Sequence, residues 1–150
     1  CKELDGILGY YGEQLMLLAQ SLGLNSCWVG GTYKVVNRAY NVDLGQKLAA
    51  VIALGYGTTQ GVPHRSKAPQ AVVPGYDGAP EWFKRGVDAA LLAPTALNQQ
   101  KFSFSLDGEV GDVPVVRAST RRGAFAQMDL GIAQCHFEIG AGPALYRWAE

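Results

Sequence analysis

The stretch that most constrains the fold is "PEWFKRGVDAALLAP", bracketed by Pro80 and Pro94, because the chain changes period directly after it. A proline at a first helical position gives up no hydrogen bond, and Glu81 suits the positive end of a helix. Phe83, Val87, Ala90 and Leu91 recur on one helical face, and Pro94 cannot continue the helix. In "KFSFSL", Phe102, Phe104 and Leu106 then alternate with polar residues, the pattern of a half-buried strand. Helix and strand following so closely point to an α+β fold.

The remaining segments extend that pattern. Asp107-Gly108 is expected to turn the strand into "DVPVVRAS", with Pro114 marking an edge, and "GAFAQMDLGIAQCHFEIGAG" reads as a last helix ending in glycine. Near the start, "GYYGEQLMLLAQSLGL" places Leu15, Leu18, Ala19 and Leu22 on one face, expected to be buried. Gly23 stands where a Schellman ending needs a left-handed residue, with Leu24 folding back. "SCWVG" is expected to form a short buried strand closed by Gly30-Gly31. "LAAVIALGYG" is expected to form an interior strand, although "DLGQK" before it could open a helix. Thr58 to Ala79, rich in Gly, Pro, Ser and Gln, reads as a long surface loop. "GYYGEQLMLLAQSLG" and "MDLGIAQCHFEIGAG" also align without a gap, sharing Gly12 with Gly131 and Gly23 with Gly142, a faint internal repeat.

Composition narrows the functional classes. With 150 residues, 48% of them hydrophobic, the chain can bury one real core. Lys plus Arg equals Asp plus Glu at 13 each, so bulk charge argues for neither a nucleic-acid nor a membrane-surface partner. No apolar run approaches the roughly 20 residues that span a bilayer. The three cysteines, Cys1, Cys27 and Cys135, are odd in number and lack metal-type spacing. We expect free, buried thiols in a reducing cytoplasm, with no metal.

Candidate chemistry is sparse. "GYGTTQG" resembles a phosphate loop only superficially, since Val62-Pro63 rather than a helix follows it. In "HRSK", Arg65 and Lys67 beside His64 and Ser66 could grip a phosphate, or the segment could be a solvated loop. Arg121-Arg122 reads as solvated surface, and His136 as a packed, hydrogen-bonded residue of the core or an interface. No Ser or Cys stands in an elbow-like context with a His and an acid, and no carboxylates pair for acid-base work. No catalytic side chain is assigned. A cofactor is therefore expected to carry any chemistry, and the Thr95, Asn98, Gln99, Gln100 cluster in "LAPTALNQQKF" is the polar rim it would need.

Those residues resemble the nitroreductase-like flavoproteins. "LAPTALNQQKF" is similar to the flavin-contacting signature Ala-Pro-Ser-x-x-Asn-x-Gln-Pro-Trp. "GYYGEQLMLLAQSLGLNSCWVGG" is similar to the family's dimer-forming helix and the Gly-Leu-x-x-x-Trp turn after it. "LGYG" and "HRSK" resemble its final strand and phosphate-contacting tail. The motifs run in reverse of the common order, as in the subgroup of a thermophile nitroreductase with tandem half-domains. "MDLGIAQCHFEIGAG" would then be a second copy of the dimer-forming helix.

The resemblance implies a nitroreductase-like fold, a central mixed or antiparallel sheet flanked by helices. It implies one domain over 1–150, lacking a segment before Cys1, with a half-domain junction in the loop 58–79. It further implies noncovalent FMN, NAD(P)H as donor, and ping-pong hydride transfer to a nitroaromatic or quinone-like acceptor. Thr95, Asn98 and Gln100 would bond the flavin ring or ribityl chain. Leu24, Asn25, Ser26, Cys27, Trp28 and Gly30 would lie near N5 and O4, and Arg65 and Lys67 at the phosphate. Gln99 has no such place and reads as ordinary surface. A homodimer or an intrachain pseudo-dimer is implied as well. Lys101 and Phe102 depart from the family's Pro and Trp, and the missing upstream segment normally helps hold the FMN phosphate. These departures favour the alternative of a noncatalytic member binding another ligand or a partner.

Overall fold

A computed structural model describes residues 2–34, 36, 39–143 and 145–149; Cys1 lies outside them. Among the described residues, the α-helices and β-strands follow in the order α1 (Lys2–Ser21), β1 (Asn25–Val29), β2 (Val51–Gly55), α2 (Glu81–Ala90), β3 (Phe102–Val110), β4 (Val113–Thr120), α3 (Ala126–Ala141) and β5 (Arg147–Trp148). They form two compact units, Cys1–Glu13 with Pro63–Glu150, and Gln14–Val62. Helix α1 contributes its first residues to the larger unit and its last to the smaller. The class is α+β.

The larger unit holds a three-stranded sheet in the order β3-β4-β5, antiparallel between β3 and β4 and parallel between β4 and β5. Alternation in "KFSFSL" buries Phe102 and Phe104, as the period of two requires. Phe104 stacks on Phe137 of α3 at 4.9 Å between ring centroids, and Phe83 of α2 meets Phe137 edge-on at 5.4 Å. Val72, Val87, Val116 and Cys135 complete the most deeply buried set.

Glycines let α3 be gripped from two sides. A Cβ on Gly131 would lie 1.9 Å from the Gly6 carbonyl oxygen, and one on Gly9 would lie 2.1 Å from the Met128 oxygen. Toward α2, a Cβ on Gly140 would sit 2.5 Å from the Arg85 oxygen, and Gly86 is filled by the Phe137 ring. Beside the α1 crossing, Glu13 Oε1 lies 2.8 Å from His136 Nε2, so His136 is the hydrogen-bonded, packed residue expected. Glu138 accepts from the Tyr10 hydroxyl and, at 2.7 Å, from the Trp148 indole.

Several expectations need correction. The leucine face of α1 is open: Leu15, Leu18 and Leu22 are 59%, 54% and 66% exposed. Gly9, Glu13, Met16 and Ala19 are the buried residues instead. Periodicity gave the stripe its helical spacing but could not say which face is covered, and close approach at Gly9 turns that face inward. The smaller unit is a ribbon of β1 and β2, antiparallel with Cys27 opposite Ala53. Within it β1 is only half-buried and β2 is no interior strand, since Leu54 and Tyr56 are exposed. "DLGQK" forms a turn closed by Gln46 N on Asp43 O, not a helix.

The helix end matches expectation. Gly23 has φ +76°, its N–H reaches Gln20 O, and Leu24 N reaches Ala19 O, the paired bonds of a Schellman ending. Pro80 caps α2 from outside rather than opening it. In the β3–β4 hairpin, Asp107-Gly108 makes a bulge, and the reversal comes at Gly111 and Asp112, both with positive φ. Pro114 lies on β4 just before the residues that β5 covers, Val115 and Val116, so β4 is central there. The loop 58–79 is not wholly superficial. Val72 and Val73 are buried, and Val72 O accepts from Phe104 N at 2.9 Å.

Candidate functional site

Helix α2 ends at Ala90, and Pro94 forces the chain into a loop, Leu92–Phe102, that leads into β3. Within it Leu97, Asn98 and Gln100 all carry positive φ, at 54°, 50° and 42°. Such backbone is strained for residues with a side chain and persists only where the surroundings hold it. Leu97 is 98% exposed at the apex, so packing does not hold it there. Hydrogen bonds must, and they come from two directions.

The first is the "HRSK" strap. His64 Nε2 donates to Leu92 O at 3.3 Å, and Ser66 Oγ donates to Leu91 O at 2.8 Å, satisfying carbonyls freed at the end of α2. A carbonyl can only accept, so the His64 proton sits on Nε2, leaving buried Nδ1 without a partner among the described residues. Lys67 Nζ donates to Gln99 O and Gln100 O at 2.9 and 2.6 Å. Burial lowers the Lys67 pKa from its ordinary value, helped by the charges of Arg121 and Lys101.

Gln100 closes the strap onto the loop. It is 2% exposed; its Oε1 accepts from Lys67 N at 2.9 Å, and its Nε2 donates to Arg65 O and Asn98 Oδ1. Its own N–H donates to Thr95 Oγ1 at 3.1 Å. Asn98 Nδ2 also reaches Arg65 O, at 3.0 Å. Thr95 keeps its hydroxyl proton to give, and exposed Asn98 keeps one amide N–H. The Arg65 guanidinium is exposed, with no ion pair or hydrogen bond among the described residues. Five residues expected at the site, Arg65, Lys67, Thr95, Asn98 and Gln100, are thus brought together. Two of them, Lys67 and Gln100, spend their polar groups on the protein.

The second direction is α3. Asp129, 4% exposed, accepts from Ala96 N at 3.0 Å through Oδ1 and from Gln99 Nε2 at 2.6 Å through Oδ2. Gln99 Nε2 also reaches Ala124 O at 2.7 Å. The expectation that Gln99 is ordinary surface is therefore corrected: it ties the loop to α3. Burial raises the Asp129 pKa above the usual carboxylate value, and the Ala96 and Gln99 hydrogen bonds pull it partly back. Asp129 was missed by sequence reasoning. An acid in the first turn of a helix is explained by the helix dipole alone, and only its burial marks it as something more.

Leu24, Asn25, Ser26, Cys27, Trp28 and Gly30 belong to the smaller unit, at and beyond the end of α1. There Asn25 Oδ1 accepts from Gly57 N at 2.8 Å and its Nδ2 donates to Gln60 Oε1 at 3.1 Å. A Cβ on Gly57 would stand 3.1 Å from Asn25 Oδ1, so this glycine of "GYGTTQG" serves a close approach within the ribbon. The expectation of buried thiols is corrected at Cys27: it is free but exposed, at the outward position of β1, while Cys135 is free and buried as expected. Among the described residues, no three or more of His, Cys, Asp and Glu gather as metal ligands would, and no helix is long and apolar enough to cross a membrane.

Comparison with known proteins places this architecture. Residues 2–141 match the model of the family described as "Putative TM nitroreductase". Among solved structures, a nitroreductase from Thermotoga maritima, itself titled putative, is similar at a TM-score of 0.61 and 23% identity, over 86% of this chain and 51% of that one. The chain therefore spans about half the length of that relative. No curated protein sequence matches. The match over nearly the whole chain and the shared nitroreductase-like fold agree: the chain belongs to the TM nitroreductase family.

Proposed function

We propose that this chain is part of an FMN-dependent NAD(P)H oxidoreductase of the nitroreductase type, reducing nitroaromatic or quinone-like acceptors by ping-pong hydride transfer. The observation that carries the reading is the held loop Thr95–Gln100, in a chain of this family. It keeps neutral polar side chains at a fixed position with no acid-base pair among them. Such a rim suits a cofactor that brings its own chemistry.

The donor set fits the group. Thr95 and Asn98 retain neutral donors suited to the carbonyl and hydroxyl rim of a flavin, and Arg65 retains a whole guanidinium for the phosphate. Bound FMN would supply hydride acceptance and donation. Thr95 and Asn98 would orient it, and Arg65 would neutralise its phosphate. Lys67 and Gln100 would support these residues from behind, since their own polar groups already bond the loop. The test is colour: protein titrated with FMN should acquire visible flavin absorbance that NAD(P)H bleaches. Protein that stays colourless in excess FMN sinks the reading.

The open stripe on α1 supports the reading of a homodimer or an intrachain pseudo-dimer. Leu4, Leu8, Tyr11, Leu15, Leu18 and Leu22 alternate spacings of four and three residues, all exposed. That heptad spacing suits packing against another helix, in a second copy or in a second half-domain. The reading of a noncatalytic member binding another ligand draws on one observation, the internal use of Gln100 and Lys67. It predicts no turnover with any nicotinamide donor at saturating FMN.

A further inference from the structure

We infer that Asp129 is the positioning residue of the proposed flavin loop: from inside α3 it holds Ala96 and Gln99, and so fixes where Thr95 and Asn98 stand. This inference rests on the oxidoreductase reading for its consequence, but not for its geometry.

A carboxylate in the first turn of a helix ordinarily faces water and favours its own helix's free N–H groups. Asp129 does neither. It is buried, and both oxygens are directed away from α3 onto the loop, one to a backbone amide and one to a side-chain amide. Burying a charge is unfavourable unless the bonds it makes compensate, so the arrangement asks what is gained. The loop gives the answer. Leu97 and Asn98, between the two anchored residues, have left-handed backbone, and the Leu97 side chain is fully in solvent. Strap hydrogen bonds reach Asn98 and Gln100 on one side of the loop. On the other, Ala96 and Gln99 are held by Asp129, with Ala124 O sharing the Gln99 amide. Without Asp129, Ala96 loses its anchor and Gln99 Nε2 keeps only Ala124 O, so the strained turn can relax.

The groups acting on Asp129 are neutral apart from solvent exclusion. Burial raises its pKa, while the Ala96 and Gln99 amides oppose that rise. The charged groups on the elements around it are turned elsewhere. Lys101 Nζ bonds Arg122 O, and Lys67 Nζ bonds the Gln99 and Gln100 carbonyls. Arg85 of α2 reaches Ala141 O, Glu138 is held by Tyr10 and Trp148, and Glu13 by His136.

The sign of the pH effect is distinctive. Because the folded pKa is raised, the native chain takes up this proton more readily than the unfolded one, so protonation favours the fold as pH falls. The same proton turns a carboxylate oxygen into a donor facing the Gln99 donor, and the loop loosens. Through Asp129, stability and FMN affinity therefore move in opposite directions with pH. A purely structural carboxylate would move them together.

The experiment measures amide hydrogen exchange over 95–100 without FMN, and FMN affinity by fluorescence quenching at pH 7.5 and 5.5, in wild type and Asp129→Asn. Asn can accept from Ala96 but sets a donor against Gln99. The expected results are faster exchange over 95–100 and about tenfold weaker FMN binding at pH 7.5, the scale of one charge-assisted hydrogen bond. Wild-type affinity should fall more steeply than the variant's as the pH is lowered, beyond the change both share as the FMN phosphate takes up its own proton. Unchanged exchange over 95–100, or a variant whose affinity and pH profile match wild type, overturns the inference. Should Asp129→Asn fail to fold, Gln99→Met removes the bonds to Asp129 and Ala124 without touching the carboxylate and must still speed exchange at 95–100; unchanged exchange there overturns it equally. If wild type binds no FMN, exchange still decides the role of Asp129, and the oxidoreductase reading alone falls.

Discussion

Replacing Gly131 by Ala tests the packing that anchors α3, and the structure sets its magnitude. The new Cβ would stand 1.9 Å from Gly6 O, 2.8 Å from Gly6 C and 2.9 Å from Tyr10 N. These are backbone atoms, so no side chain can swing aside. Restoring contact to roughly 3.5 Å requires α1 to retreat by about 1.5 Å. Overpacking of this kind costs ~3 kcal/mol, offset by ~1 kcal/mol from the better helix propensity of Ala. The net loss of ~2 kcal/mol lowers Tm by about 4–8 °C for a chain of this size. Gly6→Ala is the control on the same crossing, because its Cβ would meet only Gln127 O, at 3.6 Å. It should keep the propensity gain of ~1 kcal/mol and raise Tm by about 2–4 °C. Thermal unfolding followed by far-UV circular dichroism measures both. Equal Tm values for the two variants would refute the close crossing of α1 and α3.

Other predictions follow from the site and surface. Thr95→Val with Asn98→Ala removes two neutral flavin partners worth ~1 kcal/mol each, so FMN should bind about 25-fold more weakly by fluorescence titration, and Tm should fall as well because Thr95 Oγ1 accepts from Gln100 N and Asn98 bonds Arg65 O and Gln100 Nε2. A thiol reagent at pH 7.5, mapped by peptide mass spectrometry, should label exposed Cys27 and spare Cys135 until unfolding, because burial, with Glu13 and Glu138, pushes the Cys135 thiol up to about 11. Leu15→Glu with Leu18→Glu should lower the mass seen by light scattering if the α1 stripe joins two copies. An unchanged dimer would place the contact elsewhere.

Much of the architecture was legible from local punctuation. The prolines flanking α2, the phenylalanine alternation of β3, and Gly23 and Gly142 at helix ends each act within a few residues of themselves, so sequence alone locates them. The buried face of α1 was not legible. An apolar stripe states that a helix is amphipathic, whereas the covered face was decided by Gly9 meeting Met128, far away in sequence. Likewise Asp107-Gly108 has the composition of a hairpin turn, yet Gly111-Asp112 turns the chain and leaves the earlier pair as a bulge. At the site, Thr95, Asn98, Gln100, Arg65 and Lys67 were recognisable as a polar group, but which polar atoms remain for a ligand was not. The Asp129–Gln99 bond joins residues 30 apart and carries no spacing signature. Only the fold brings them together.

The central claim is that this chain holds FMN through the 95–100 loop for hydride transfer. It is tested most directly by FMN titration of the purified protein, followed by anaerobic addition of NADH or NADPH while the visible flavin band is recorded. The account predicts saturable FMN binding and bleaching of the band by at least one donor, both weakened by the Thr95→Val, Asn98→Ala pair. Bound flavin that neither donor reduces, or binding indifferent to that pair, would contradict it.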